Sequence, residues 1–205
     1  MQLEKLPLFA GTEDMQKSLE SLDPQRGEYA RGARILSAGE RCRRIGILLS
    51  GGADIVREDA GGNPVTVAHI GEGEMFAEAF ACSGEPLTVS AVATLPSRVL
   101  WLSAERLLSG ADAQVTANAL RLFARKNLYL NQRIEHLSRR TLEEKVLSYL
   151  RSVRRAAKSD TFSVPFDRQG LADFLGCDRS ALSAVLSKLK ARGVLDYHKS
   201  AFRLF

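Results

Sequence analysis

Arg168-Gln169-Gly170-Leu171-Ala172-Asp173-Phe174-Leu175-Gly176-Cys177-Asp178-Arg179-Ser180-Ala181-Leu182-Ser183-Ala184-Val185-Leu186 is the stretch on which the reading of this chain turns. Asp167 stands just before it and can cap a first helix, and Asp178 can cap a second. A short carboxylate does this by accepting hydrogen bonds from the unpartnered N–H groups of the first helical turn. Ala172 is small enough for two helices to cross closely, and Gly176 suits the left-handed turn between them. Leu171, Leu175, Leu182 and Val185 supply a shared apolar core. A generic αα-hairpin has some of these features, but the whole set within nineteen residues predicts a DNA-binding helix-turn-helix.

In such a unit the N-terminal turns of the second helix meet base edges. The residues expected there are Arg179, Ser180, Ser183 and Ala184, of which only Arg179 can make a bidentate contact to guanine. Gln169 joins the DNA-facing set. Arg168, Lys188, Lys190 and Lys199 read as phosphate contacts, which position a protein without specifying sequence, or as solvated side chains. Beyond the motif, Val194-Leu195-Asp196-Tyr197, the turn His198-Lys199-Ser200 and Ala201-Phe202-Arg203-Leu204-Phe205 read as a hairpin, making a winged helix.

Upstream, Thr141-Leu142-Glu143-Glu144 forms a capping box before Lys145-Val146-Leu147-Ser148-Tyr149-Leu150. A helix start at that point places a hinge near residues 138–140. Before the hinge, Leu120, Phe123, Asn127, Leu130, Ile134 and Leu137 recur at alternating three- and four-residue spacing on a helix that Asp112 can cap. This is a heptad seam with one polar member, Asn127, and a buried Asn in a seam typically fixes register and two-strandedness. The charged flanks Arg121, Arg125, Arg133 and Glu135 favour a dimer coiled coil over an amphipathic helix lying on its own sheet.

The N-terminal part reads differently. After a helical stretch near residues 12–21, short extended segments alternate with glycine turns from Tyr29 to Leu102. They include Arg43 to Leu49, Ala53 to Arg57, Val65 to Ile70, Leu87 to Thr94 and Arg98 to Leu102. Asp59-Ala60-Gly61-Gly62-Asn63-Pro64 is a strong turn signal between two of them. This pattern predicts an antiparallel sandwich or barrel, followed at Ser103 by the N-cap of a short helix. The expected domains are 1–111, 112–137 and 138–205.

Charge supports the division. The 205 residues carry a net +5, but residues 138–205 hold 14 Lys/Arg against 7 Asp/Glu, whereas residues 1–137 hold 15 against 17. A basic module beside a near-neutral one points to a polyanionic partner. At 45% hydrophobic and 26% charged, the chain falls outside the disordered and membrane-embedded classes. The absence of an apolar stretch at the N-terminus and the three scattered cysteines, Cys42, Cys82 and Cys177, lead to the expectation of a cytoplasmic protein. No nucleophile elbow, no phosphate loop with its Lys and no paired metal-ligand histidines occur, so the chain reads as a non-enzyme.

Taken together, Gly32-Ala33-Arg34-Ile35-Leu36-Ser37-Ala38-Gly39-Glu40, Gly46-Ile47-Leu48-Leu49-Ser50-Gly51, Gly73-Glu74-Met75-Phe76-Ala77-Glu78 and the helix-turn-helix resemble the cyclic-AMP receptor protein/FNR superfamily. The resemblance implies an α+β chain: an N-terminal β jelly roll of the cyclic-nucleotide-binding kind, a dimerisation helix and a C-terminal winged helix. It further implies a homodimeric transcriptional regulator that binds pseudo-palindromic promoter DNA, works with RNA polymerase, and answers to an effector held between sandwich and dimer helix. The expected pocket residues are Met75, Phe76, Glu78, Leu87, Thr88, Asn127, Leu130 and Asn131.

The effector departs from the family pattern. Cyclic-nucleotide binders of this family carry Gly-Glu at the start of a short helix and an Arg-Ser or Arg-Thr pair about ten residues later. In this chain those positions hold Ala77-Glu78 and Leu87-Thr88, and no Arg lies between Arg57 and Arg98. A phosphate buried without its counter-charge costs several kcal/mol, which disfavours a cyclic nucleotide. Three cysteines exclude a four-thiolate iron–sulfur cluster within one chain. Heme would need an axial ligand from His69, His136 or Cys82, with Cys82 expected just after the short helix. Cys82 as a redox switch and a purely structural sandwich with no effector are the further alternatives.

Overall fold

Eight short strands among the described residues build two four-stranded antiparallel sheets. The strands are β1 (Gln25–Tyr29), β2 (Arg34–Leu36), β3 (Arg44–Ser50), β4 (Ala53–Glu58), β5 (Pro64–Ile70), β6 (Met75–Phe76), β7 (Ser90–Ala93) and β8 (Ser97–Ser103). The computed structural model describes residues 3–58 and 64–205, so the expected turn at 59–63 lies outside the described residues. The sheets run β1-β8-β3-β6 and β2-β7-β4-β5. Sequence neighbours are thus split between facing sheets, as in the expected jelly roll. β1 begins before the expected first segment, because Gln25, Arg26 and Gly27 lack a strand-like pattern and pair with β8 through the backbone alone.

One core lies between the sheets, where Leu48, Val99 and Trp101 meet Ala53, Ala91 and Ala93. Gly46 on β3 belongs to this packing. A Cβ there would stand 2.5 Å from the ring of Phe76, which packs edge-on to Trp101 at 5.4 Å. A second core covers the other face of the β1–β8–β3 sheet, with Ile45, Ile47, Leu100 and Leu102 packed against Leu8, Phe9, Leu22 and Leu107. Burial on both faces explains why β3 reads as a nearly continuous apolar run. The covering elements are two 3₁₀ turns (Leu3–Lys5 and Pro7–Phe9), α1 (Met15–Ser21), α3 (Ala104–Leu108) and the start of α4 (Ala113–Leu137). The short α2 (Glu78–Ser83) follows β6.

The beginning of α4 is fastened by polar contacts. Asp112 accepts from the Val115 N–H at 2.9 Å and from the Ser18 hydroxyl at 2.5 Å. Buried Asn118 donates to the carbonyls of Leu8 at 3.0 Å and Ala10 at 2.8 Å. The chain packs as two compact units, Met1–Phe123 and Ala124–Phe205, so the division falls within α4.

In the second unit, α5 (Leu142–Ala157), α6 (Arg168–Leu175) and α7 (Arg179–Ala191) pack on a three-stranded sheet. Its order is β10 (Leu195–His198), β11 (Ala201–Leu204), β9 (Thr161–Ser163). The Thr141–Glu144 capping box opens α5 with both of its reciprocal bonds. Three-residue β9 is too short to show a period in the sequence, and it forms by pairing with β11. Leu171, Leu175 and Leu182 are fully buried as expected, but Val185 is only partly so. Leu186 and Leu189 take the deep positions on α7. Among the described residues no helix is long and apolar enough to cross a membrane.

Candidate nucleic-acid interface and sensor pocket

Local chemistry makes the helix–turn–helix as the sequence required. Asp167 caps α6 by accepting from the Gly170 N–H at 2.7 Å. Gly176 ends α6 at φ +63°, the left-handed region that glycine enters at little cost. Asp178 occupies the N-cap position of α7, but its carboxylate makes no capping bond. Only its carbonyl serves the helix, accepting from Leu182 at 3.0 Å.

On the first two turns of α7, Arg179, Ser180 and Ala184 are exposed. Ser183 is half-buried and donates to the Arg179 carbonyl at 2.9 Å. The other expected DNA-facing residues have partners within the unit. Gln169 donates to Asp173 at 2.8 Å. The Arg168 guanidinium lies 4.9 Å from the Tyr197 ring centre, and Lys190 pairs with Asp196 at 2.5 Å. Lys188 reaches Glu143 at 3.4 Å, and Arg192 reaches the same carboxylate at 2.6 Å. Those two cations, Arg192 foremost, hold the Glu143 carboxyl below its ordinary pKa. Lys199 is exposed at the tip of the β10–β11 hairpin, with φ +54°.

The end of α4 is anchored to the helix-turn-helix by Arg133, expected as a charged flank of the seam, and His136, expected as a candidate heme ligand. Arg133 donates to the carbonyls of Phe174 and Asp173, both at 3.1 Å, where the C-terminus of α6 concentrates partial negative charge. Its guanidinium also lies 5.5 Å from the Phe174 ring centre. His136 is buried, with 4% of its surface exposed. Nδ1 lies 2.9 Å from the Ser148 hydroxyl and Nε2 lies 3.5 Å from that of Ser152. Tyr149 packs against the imidazole edge-on, and burial pushes the His136 pKa below its usual value. A signal was available: Tyr129, Arg133 and His136 form a second helical stripe beside the heptad seam.

Along the seam itself, Leu120, Asn127, Leu130 and Ile134 are exposed. Phe123 packs on the core of the first unit, and Leu137 sits beside Gly176 in the second. Asn131 is also exposed and donates to the Asn127 side chain at 2.8 Å.

In the first unit, Met75 is half-buried, whereas Phe76, Glu78 and Leu87 are buried. Leu87 belongs to the inter-sheet core, at the position where the resemblance places the cyclic-phosphate Arg. Exposed Thr88 lines a cleft of about 610 Å³ with Arg34, Asp54, Val56, Ser90 and Val92. The cleft lies on the solvent face of β7, opposite buried Ala91 and Ala93. Ala77, ahead of α2, is held at φ +62°.

The candidate heme ligands are placed separately. His69 on β5 pairs with Asp54 across the strands at 2.6 Å. Cys82 lies inside α2 rather than just after it, since the helix runs one residue beyond it. Burial and then the Glu78 carboxylate raise the pKa of its thiol. Among the described residues no group of three His, Cys, Asp or Glu side chains is placed to hold a metal ion.

A jelly-roll sheet pair, a long helix and a winged helix-turn-helix define a class of two-unit regulators. Comparison with known proteins agrees unit by unit. Residues 26–113 match the cyclic nucleotide-binding domain family, and residues 144–204 match the Crp-like helix-turn-helix domain. The cyclic AMP receptor protein of Thermus thermophilus is 27% identical over 191 residues, which cover 92% of this chain and 88% of that protein. The crystal structure of the Thermus thermophilus catabolite activator protein aligns with a TM-score of 0.52 at 24% identity, over 97% of this chain and 93% of that one. The sensor domain of the transcriptional regulator DNR from Pseudomonas aeruginosa aligns at 0.54 and 26% identity, over 68% of this chain and 92% of that one. The chain belongs to the Crp/FNR superfamily of transcriptional regulators.

Proposed function

We propose that this chain is a homodimeric, sequence-specific DNA-binding regulator, with two copies of α7 reading the half-sites of a pseudo-palindromic promoter element. The observation that carries the reading is the α6–Gly176–α7 unit, which leaves Arg179 exposed on the first turn of a helix in the basic part of the chain. Arg179, Ser180, Ser183 and Ala184 face the bases. Arg168, Gln169, Lys188 and Lys199 position the phosphates, and bound promoter complexes engage RNA polymerase. Selection from a random duplex pool by the full chain tests the reading, followed by affinity measurement on the selected site. Arg179→Ala should weaken binding to that site by about 1–3 kcal/mol and broaden base preference at one position of each half-site. Unchanged affinity and preference would remove Arg179 from base recognition.

An effector held by the first unit controls DNA affinity, and Met75, Phe76, Glu78, Leu87 and Thr88 contribute to its site. The residues present do not fit a cyclic nucleotide, because the position of the phosphate-binding cation is a core leucine. A thermal-shift screen of small metabolites, with cyclic AMP included, tests this. A shift with cyclic AMP would overturn the exclusion, and no shift with any compound would favour a purely structural sandwich. An absorbance scan for a Soret band tests the heme alternative.

A further inference from the structure

Two groups of cations stand out in the second unit. One is on the surface of α7 and the hairpin, where several cations are already tied to carboxylates. The other is a stripe on the outer face of α5. Arg151, Arg154, Arg155 and Lys158 recur at i, i+3, i+4 and i+7, opposite the buried face formed by Val146, Tyr149 and Leu150. Together with Ser159 and Asp160 they line an open depression of about 540 Å³. Arg154 pairs with Asp160 at 2.5 Å. Among the described residues, exposed Arg151, Arg155 and Lys158 make no ion pair. Like charges at these spacings repel and cost helix stability. The preference for cations in the last turn accounts for part of the stripe but not for Arg151, which lies two turns from the helix end.

The stripe is structurally continuous with the wing. The carbonyl of Asp160 accepts from Leu204 of β11, and the N–H of Val164 donates to the carbonyl of Ser200 at the hairpin turn. Strand β9 therefore runs from the stripe at one end to the wing tip and Lys199 at the other. Four residues of strand span about 13 Å. Successive phosphates of one DNA strand advance about 3.4 Å along the axis, so the stripe lies within roughly four nucleotides of a wing-tip phosphate contact.

We propose that the Arg151–Arg155–Lys158 stripe of α5 is a second DNA contact, taking backbone phosphates of the duplex that flanks each half-site. This rests on the DNA-binding reading of the second unit. The contact carries no sequence information, because its targets are backbone phosphates, which are alike at every base pair. It lengthens the site the protein occupies and makes its affinity depend on flanking DNA. A duplex polyanion suits the stripe better than an acidic protein segment because the wing sheet runs on directly from it.

The test uses the full chain, a triple variant R151Q/R155Q/K158Q, and the site that the unmodified chain selects. Affinity is measured against salt on two duplexes, one confined to the half-sites and one extended by about a helical turn on each side. On the extended duplex the variant should lose about five from the slope of log K against log salt, the number expected for six phosphate contacts, three from each protomer. On the short duplex its slope should match the unmodified chain, and the charge-preserving R151K/R155K should behave as unmodified on both. A slope unaltered on the extended duplex, leaving the stripe to an acidic protein, would overturn the proposal. So would an equal loss on both duplexes, which means a general charge effect. Failure of the unmodified chain to select any site would instead defeat the DNA-binding reading itself.

Discussion

Ala77 shows how much one backbone angle can hold. It sits at φ +62° between β6 and α2, where a Cβ is costly and glycine is at home. Comparing the start of this helix with the family's Gly-Glu pair exposes the substitution, but only the backbone shows that the left-handed conformation has been kept in spite of it. Ala77→Gly should therefore stabilise the first unit, by up to about 1 kcal/mol once glycine's greater unfolded-state freedom is counted. Denaturant midpoints of the two proteins measure it, and a destabilised glycine variant would mean that the Ala77 methyl contributes packing greater than its strain. Leu87 is legible in sequence as the loss of a cation; the structure adds that the side chain is part of the core, so restoring Arg there would strand a charge among Phe76, Ala91 and Trp101.

Elements differ in how openly the sequence announces them. The caps at Asp167 and Thr141, the turn at Gly176 and the seam on α4 depend on contacts three or four residues apart, and all can be read locally. β1 and β9 exist because distant strands supply their partners, so no local pattern marks them. The same holds for the attachment of α4 to α5 and α6 through His136, which needs three helices to be seen together. The charged groups that act on this imidazole are Glu135 on α4 and Arg139 just beyond its end. α5 presents Ser148, Tyr149 and Ser152, and α6 presents Phe174. Its pKa is depressed in the folded chain, so the unfolded chain binds the proton more readily. The junction is thus most stable above the unfolded value near 6.5 and weakens as pH falls through it, with a limiting slope of about 1.4 kcal/mol per pH unit. Melting temperatures recorded from pH 7.5 down to pH 5.5 (about one unit either side of that value) should fall more steeply than those of His136→Gln. Parallel curves would mean that His136 titrates equally in both states.

At the scale of the whole molecule the exposed seam of α4 stands out. Leu120, Leu130 and Ile134 are 64%, 46% and 64% exposed in the single chain. Large apolar side chains at heptad spacing on a solvated face are what a second copy would cover. Ile134→Glu places a charge in that seam and should convert a dimer to a monomer in sedimentation, with loss of affinity for a two-half-site duplex and little loss for a single half-site. A monomeric unmodified chain would set the dimer aside. The architecture of both units was legible in the sequence because strand alternation and the helix-turn-helix are strong local patterns. Where the chain divides was not, because one uninterrupted helix carries the boundary and no change of composition marks it.

The three thiols have a practical consequence of another kind. Cys42 is buried and donates to the Arg44 carbonyl, while burial raises the pKa of both Cys82 and Cys177. Maleimides react with the thiolate, which such sites supply sparingly at neutral pH. The native chain should therefore label slowly with its cysteines left in place, and a Ser180→Cys variant should take a single fluorophore on α7, as counted by intact mass. A dye there would obstruct the base-facing turn, so the labelled chain should lose DNA affinity, in a background that needs no cysteine removed.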